Sequence, residues 1–217
     1  MKKPIVIPIM FLALCFIVIN TGRAESDKYL GIKLGTNIST FIGADAGGES
    51  SKSGLTCGFF SRSYKNNSLE FVFEVLYSSK GAEAMIEGRS YTFSFYYFEL
   101  PLLFNIDLSP TGETHPNLFF GPAIAYNFLA KLSDGRSDVN LRDSGIDETI
   151  KMKDFDIGMV LGGNIDFPME KYRFIIDLRY TMGVTSFSDM VINPGKTTDI
   201  RNSTISLTFG LSFPLGR

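Results

Sequence analysis

Five charged side chains, Lys33, Glu74, Glu99, Asp177 and Arg179, interrupt stretches otherwise built of small or apolar residues. Each falls on the polar side of an alternating pattern, and counting from the flanking turns puts all five near mid-height on inward faces. A second set, Arg62, Glu70, Asp107, Asp166 and Arg173, falls nearer one end. Two basic and three acidic groups at each level suit mutual pairing in a narrow enclosure, where an unpaired ion costs several kcal/mol. The chemistry expected of them is a lumen charge network that fills and plugs, rather than catalysis.

Catalytic constellations are not found. His115 is the single histidine, so acid–base chemistry of the histidine type rests on it alone. It sits in the short connection Thr111–Pro116 and reads as a turn residue. One histidine with Cys57 cannot make a zinc site. The acidic stretch containing Asp134, Asp138, Asp143, Asp147 and Glu148 lacks regular Ca²⁺-loop spacing, and Arg136 and Arg142 interrupt it. It reads as a solvated loop. The glycines of Gly43–Gly48 open no helix, so no phosphate cradle is expected. Cys57 falls on an apolar face as inert packing. No catalytic residue, cofactor or metal is assigned.

The elements that must position these charges are strands. Alternation recurs eight times: around Leu30–Leu34, Leu55–Phe59, Leu69–Tyr77, Tyr91–Leu108, Leu118–Phe128, Phe155–Phe167, Tyr172–Gly183 and Thr204–Phe213. A period of two places alternate residues on opposite faces of a strand. Short connections fall near Lys65–Asn67, Ser109–Pro116 and Pro168–Lys171. Long polar ones fall near Ser39–Ser53, Ser79–Ser90, Leu132–Met152 and Thr185–Asn202. An even strand number, with short turns at one end and long loops at the other, describes a transmembrane barrel.

Composition agrees. The chain has 217 residues, 44% hydrophobic and 20% charged, with 20 Phe, 9 Tyr, 21 Gly and no Trp. Phe, Tyr and Gly in this mixture favour strands and tight turns. A net charge of −2 gives no support to a nucleic-acid partner. Residues 1–24 read as a cleaved signal peptide: Lys2 and Lys3, an apolar run from Ile5 to Ile19, then Gly22-Arg23-Ala24. Leu14 is too bulky before Cys15 for lipidation. Cleavage leaves residues 25–217 as one domain with 18 basic and 23 acidic side chains, a net of −5, and Cys57 as its single cysteine.

A soluble lipocalin is the competing eight-stranded barrel. The polar faces here carry Gly31, Gly35, Gly58, Gly121, Gly158, Gly162 and Gly210 with isolated charges, as a narrow lumen requires. The apolar faces are uniformly large, as lipid contact requires. Lipocalins also carry Gly-x-Trp near their first strand, and this chain has no Trp. The expected fold is therefore an all-β, eight-stranded antiparallel up-and-down transmembrane β-barrel. Tyr29, Tyr64, Tyr77, Tyr172 and Tyr180, near strand ends, are expected at the lipid headgroups.

The segment Tyr97-Phe98-Glu99-Leu100-Pro101-Leu102-Leu103-Phe104 resembles the PorT-like outer-membrane β-barrel family of Bacteroidota. Asn117-Leu118-Phe119-Phe120-Gly121-Pro122 is similar to that family's next strand. Phe155-Asp156-Ile157-Gly158 with Leu161-Gly162-Gly163, and Arg179-Tyr180 with Met182-Gly183, are similar to its sixth and seventh. The chain departs from it after Phe213, continuing through Pro214 to Arg217 where such barrels commonly end at the aromatic. The resemblance implies an outer-membrane address. One founding member is tied to a protein-secretion system, which makes a secretion-system component an implied partner.

The expected function is a non-enzymatic, monomeric integral outer-membrane protein with a structural or interaction role. Its expected partners are outer-membrane lipids, the barrel assembly machinery and a ligand of four extracellular loops. A narrow pore or transport accessory is the alternative, and a membrane-embedded hydrolase a weaker one.

Overall fold

Alternating side chains favour extended backbone, and the chain forms eight long strands. They are β1 (Lys28–Ile42), β2 (Ser50–Tyr64), β3 (Leu69–Ile86), β4 (Arg89–Asp107), β5 (His115–Ser133), β6 (Phe155–Pro168), β7 (Arg173–Gly183) and β8 (Arg201–Pro214). The structure is a computed structural model that describes residues 28–46, 49–64, 68–86, 88–141, 153–186, 191–193, 196–197 and 199–215. The proposed signal segment and Arg142, Asp143, Asp147 and Glu148 lie outside these residues, as does the Tyr64 side chain.

Each strand pairs antiparallel with the next. The sheet then closes through β1 and β8, in register from Tyr29↔Pro214 to Ile42↔Arg201. Closure leaves neither long edge of the sheet unpaired, which a spanning sheet in lipid must achieve. The fold is a closed, eight-stranded, up-and-down barrel. A short strand, Asp138–Asn140, adds to the upper end of β5, and Val191–Asn193 pairs with Lys196–Thr197.

The faces are inverted relative to a soluble protein. Outward residues are large and apolar: Ile32 is 52% exposed, Leu34 57% and Leu161 63%. Inward residues include Lys33, Arg62, Glu70, Glu74, Asp166, Asp177 and Arg179, all buried. A lipocalin needs the opposite arrangement, so that alternative is excluded.

The turns at 108–114 and 169–172 share one end of the barrel with the facing ends of β2 and β3 and with both termini of the strand order. At the other end, one expectation fails. Ser79–Ser90 is not a long loop: β3 and β4 stay paired to the last rung, Ile86↔Arg89, and turn at Gly88, whose φ of 75° suits glycine. Lys80 is polar because it faces inward and is buried in the lumen.

Two irregularities shape the wall. The β2–β3 register shifts between Ser51 and Thr56, and the Ser39 hydroxyl fills the gap by donating to the Gly81 carbonyl and accepting from its N–H, both at 2.9 Å. The β4–β5 register shifts at Tyr96 and Tyr97. Such bulges sharpen strand bending at barrel rims.

Outward aromatics form two groups. Tyr77, Tyr96, Phe98 and Phe128 pack together toward the long-loop end, with Tyr126 on Phe155 beside them. Phe71, Phe104 and Phe120, then Phe167, Phe174 and Phe209, lie toward the short-turn end, where Tyr172 meets Phe213. Tyr180 is outward and half-exposed. Tyr29 is not part of a girdle: it faces inward, with the Arg173 guanidinium 4.6 Å from its ring centroid.

Candidate functional site

Every charged residue singled out by the alternation lies inside the barrel, where the strands stack them in tiers. In the lowest tier, Arg62 of β2 donates from Nε to Glu70 of β3 at 2.8 Å and from Nη1 to Asp166 of β6 at 2.5 Å. Arg173 of β7 stands 3.9 Å from Asp166. Asp107 meets the histidine instead: its Oδ2 lies 2.6 Å from His115 Nδ1, and its Oδ1 accepts from the Ser109 N–H. His115 thus anchors the β4–β5 turn. Asn105, Asn117 and Asn164 link this tier laterally, with Asn105 donating to Glu70 at 2.9 Å.

The middle tier joins Lys33 of β1, Glu74 of β3 and Asp177 and Arg179 of β7. Lys33 Nζ reaches Glu74 at 2.6 Å and Asp177 at 3.0 Å. Arg179 donates to both carboxylate oxygens of Glu74, at 2.6 and 3.1 Å, and to Asp177 through Nε at 2.9 Å, with a second contact from Nη2. Two cations and two carboxylates, all nearly fully buried, form one closed set. Multidentate guanidinium–carboxylate pairing is among the strongest geometries available to such groups.

Each cation of this tier also rests on an aromatic face. Lys33 Nζ lies 5.1 Å from the Phe60 ring centroid, and the Arg179 guanidinium 5.2 Å from that of Phe119. Both rings occupy space that glycine leaves. Phe60 is registered opposite Gly31 and Phe119 opposite Gly162, and a Cβ on either glycine would land inside the facing ring. Gly31 and Gly162 therefore admit large inward side chains on the neighbouring strands, a role that alternation alone does not reveal.

Glu99 stands apart from the other four. It pairs with Lys80 and accepts from the Ser78 hydroxyl at 3.0 Å, forming an upper tier. The reason is register: Glu99 lies opposite Leu76, the next inward residue above Glu74. Counting from turns treats strands as level, whereas strands in a closed barrel are sheared against one another. Lys80 escaped the sequence reading because it fell within the expected loop.

Apolar layers separate and cap the charges. Phe60, Val72, Leu103, Phe119 and Ile175 pack between the lower tiers. Phe95, Ala130 and Leu141, with Phe41, Phe93, Leu132 and Ile200 against them, close the long-loop end. Between the lower and middle tiers a cavity of ≈ 20 Å³ is bounded by Lys33, Arg62, Glu74 and Asp177. One of ≈ 10 Å³ lies between Arg179 and the Lys80–Glu99 pair. Measured as room for a water's centre, each holds about one water.

At the rim, Asp45 and Asp199 clasp two loops: the Asp199 N–H donates to Asp45 Oδ2 at 2.8 Å, and Arg201 holds Asp199 through two contacts of 2.7 and 2.9 Å. That guanidinium keeps the Asp199 carboxyl below the usual carboxylate range. Asp134 is likewise held low, by the N–H groups of Ser137 and Arg136 in its own turn.

Residues 25–189 match the family described as "Outer membrane protein beta-barrel domain". No curated protein matches the chain. Among solved structures, Neisserial surface protein A is 13% identical, with a TM-score of 0.49 over 87% of this chain and 97% of that one. Ail of Yersinia pestis is 15% identical, with a TM-score of 0.45 over 86% and 99%. A major outer membrane protein of Thermus thermophilus is 10% identical, with a TM-score of 0.47 over 86% and 99%. The chain belongs to the outer membrane protein beta-barrel domain family. The eighth strand, which closes the barrel, lies beyond the matched residues.

Proposed function

We propose that this outer-membrane barrel is a non-enzymatic, closed anchor whose long-loop rim is its working surface. The observation that carries the reading is the filled lumen. Among the described residues, three ion-pair tiers and two apolar layers fill the lumen, and the cavities of ≈ 20 and ≈ 10 Å³ beside the middle tier hold about one water each, too small for a hydrated ion or a sugar. A protein that transports nothing through its axis has its lipid-facing wall and its ends left for function. The short-turn end is compact, whereas the other end carries the rim clasp, the tall β3–β4 hairpin and the polar connections at 43–49, 134–154 and 184–200. In this reading the short turns and both termini face the periplasm, residues 1–24 are the export signal, and the barrel works as a monomer after insertion by the assembly machinery. The likeness of Tyr97–Phe104 to PorT-like barrels supports a secretion-system component as the rim's partner.

Liposome swelling tests the closed lumen. Vesicles carrying the purified protein should swell in small sugars no faster than empty vesicles. Swelling that scales with protein content would favour the pore alternative instead.

A further inference from the structure

We propose that the upper lumen holds a monovalent metal cation, Na⁺ or K⁺, at an oxygen-lined site built on Asp156. The starting point is charge balance. The middle tier matches two carboxylates with a lysine and an arginine, the lower tier sets Arg62 and Arg173 against Glu70 and Asp166 while Asp107 bonds His115, and Lys80 takes Glu99. Asp156, the second residue of β6, is buried and has no ion pair among the described residues. Its side-chain contacts are the Thr185 hydroxyl, donating at 2.7 Å, and the Asn202 amide beside it.

The surroundings are oxygen-rich and incompletely used. Asn127 is 2% exposed, its amide makes no well-formed hydrogen bond, and the Tyr97 hydroxyl lies beside it. Asn127 faces inward on β5, one inward position above Ala125, the residue registered opposite Asp156. Tyr97, registered opposite Asn127, accepts from Asn202 Nδ2 at 3.0 Å, which leaves Asn202 Oδ1 without a partner at 3% exposure. Five elements therefore bring one carboxylate, two amide oxygens and two hydroxyls around one region of the wall.

A carboxylate with amide and hydroxyl oxygens suits a hard cation. One carboxylate favours a singly charged ion, since divalent cages gain affinity from ligand charge. No three His, Cys, Asp or Glu side chains converge among the described residues. Lys80, 5.7 Å from the Tyr97 ring centroid, pairs with Glu99 and is the nearest cation to Asp156 as well, so one ammonium serves two carboxylates.

The test is the heat-modifiability of the purified, folded protein in gels, comparing NaCl, KCl and N-methylglucamine chloride at constant ionic strength and pH. The site predicts a transition about 3–6 °C higher per tenfold rise in Na⁺ or K⁺ above its dissociation constant, and no such rise in the bulky organic cation. Asp156→Asn should remove the difference between salts. If that variant does not assemble, Asn127→Ala should reduce it. Asp134→Asn, in an exposed turn, should leave it intact. Equal transitions in all three salts would overturn the proposal. Retention of the difference in both lumen variants would overturn it too.

Discussion

Arg179 makes four hydrogen bonds to two buried carboxylates in the lumen. Its removal leaves Glu74 and Asp177 sharing Lys33 alone, and breaking a buried pair in this way typically costs about 3–5 kcal/mol. Arg179→Ala should therefore lower the temperature of the gel-mobility transition, while Arg136→Ala, on the exposed turn, should not move it. Gly31 tests packing rather than charge. Gly31→Val would drive its side chain into the Phe60 ring and toward the Leu211 carbonyl, so folded yield should fall sharply. Gly31→Val with Phe60→Ala should recover part of that yield if the ring is the obstacle. The charges themselves were legible in the sequence, because single Lys, Glu, Asp and Arg residues stand out against glycines and threonines. Their partners were less so. Lys80 and His115 enter the tiers through register and turn geometry, which alternation does not encode.

At the scale of elements, strands with strong apolar alternation were legible nearly residue by residue. Phe155–Phe167 and Thr204–Phe213 differ from β6 and β8 by three residues at most at either end. Strand ends that leave the apolar band were not legible. Ser79–Ser90 reads as a loop because both faces turn polar, yet the ladder runs on to Ile86↔Arg89. That difference sharpens a topology test. Trypsin added to intact cells should cut within 134–154 or at Lys196, and should spare Lys80, Arg89, Lys65 and Lys171. Cleavage at Lys65 or Lys171 would reverse the orientation. The rim clasp adds a pH prediction. Arg201 lowers the folded Asp199 carboxyl, so its contribution is complete above the ordinary carboxylate range and is lost as pH falls through the lowered value. The protection factor of the Asp199 amide, which donates to Asp45, should drop across that window.

For the whole molecule, inversion is the governing fact: lipid-like side chains outside, paired charges and packed rings within. Fold class followed from strand number and face composition, since only an enclosed narrow lumen tolerates so many glycines opposite isolated charges. What composition left open was how completely the lumen is filled, because Phe60, Phe119 and Ile175 sit on faces that otherwise read as polar. The most direct test is planar-bilayer conductance of the purified barrel, wild type beside Arg179→Ala. The closed-anchor account predicts no steady single-channel current from the wild type, and measurable openings once the middle tier loses its arginine. A stable, ohmic wild-type channel, unchanged by that substitution, would contradict it.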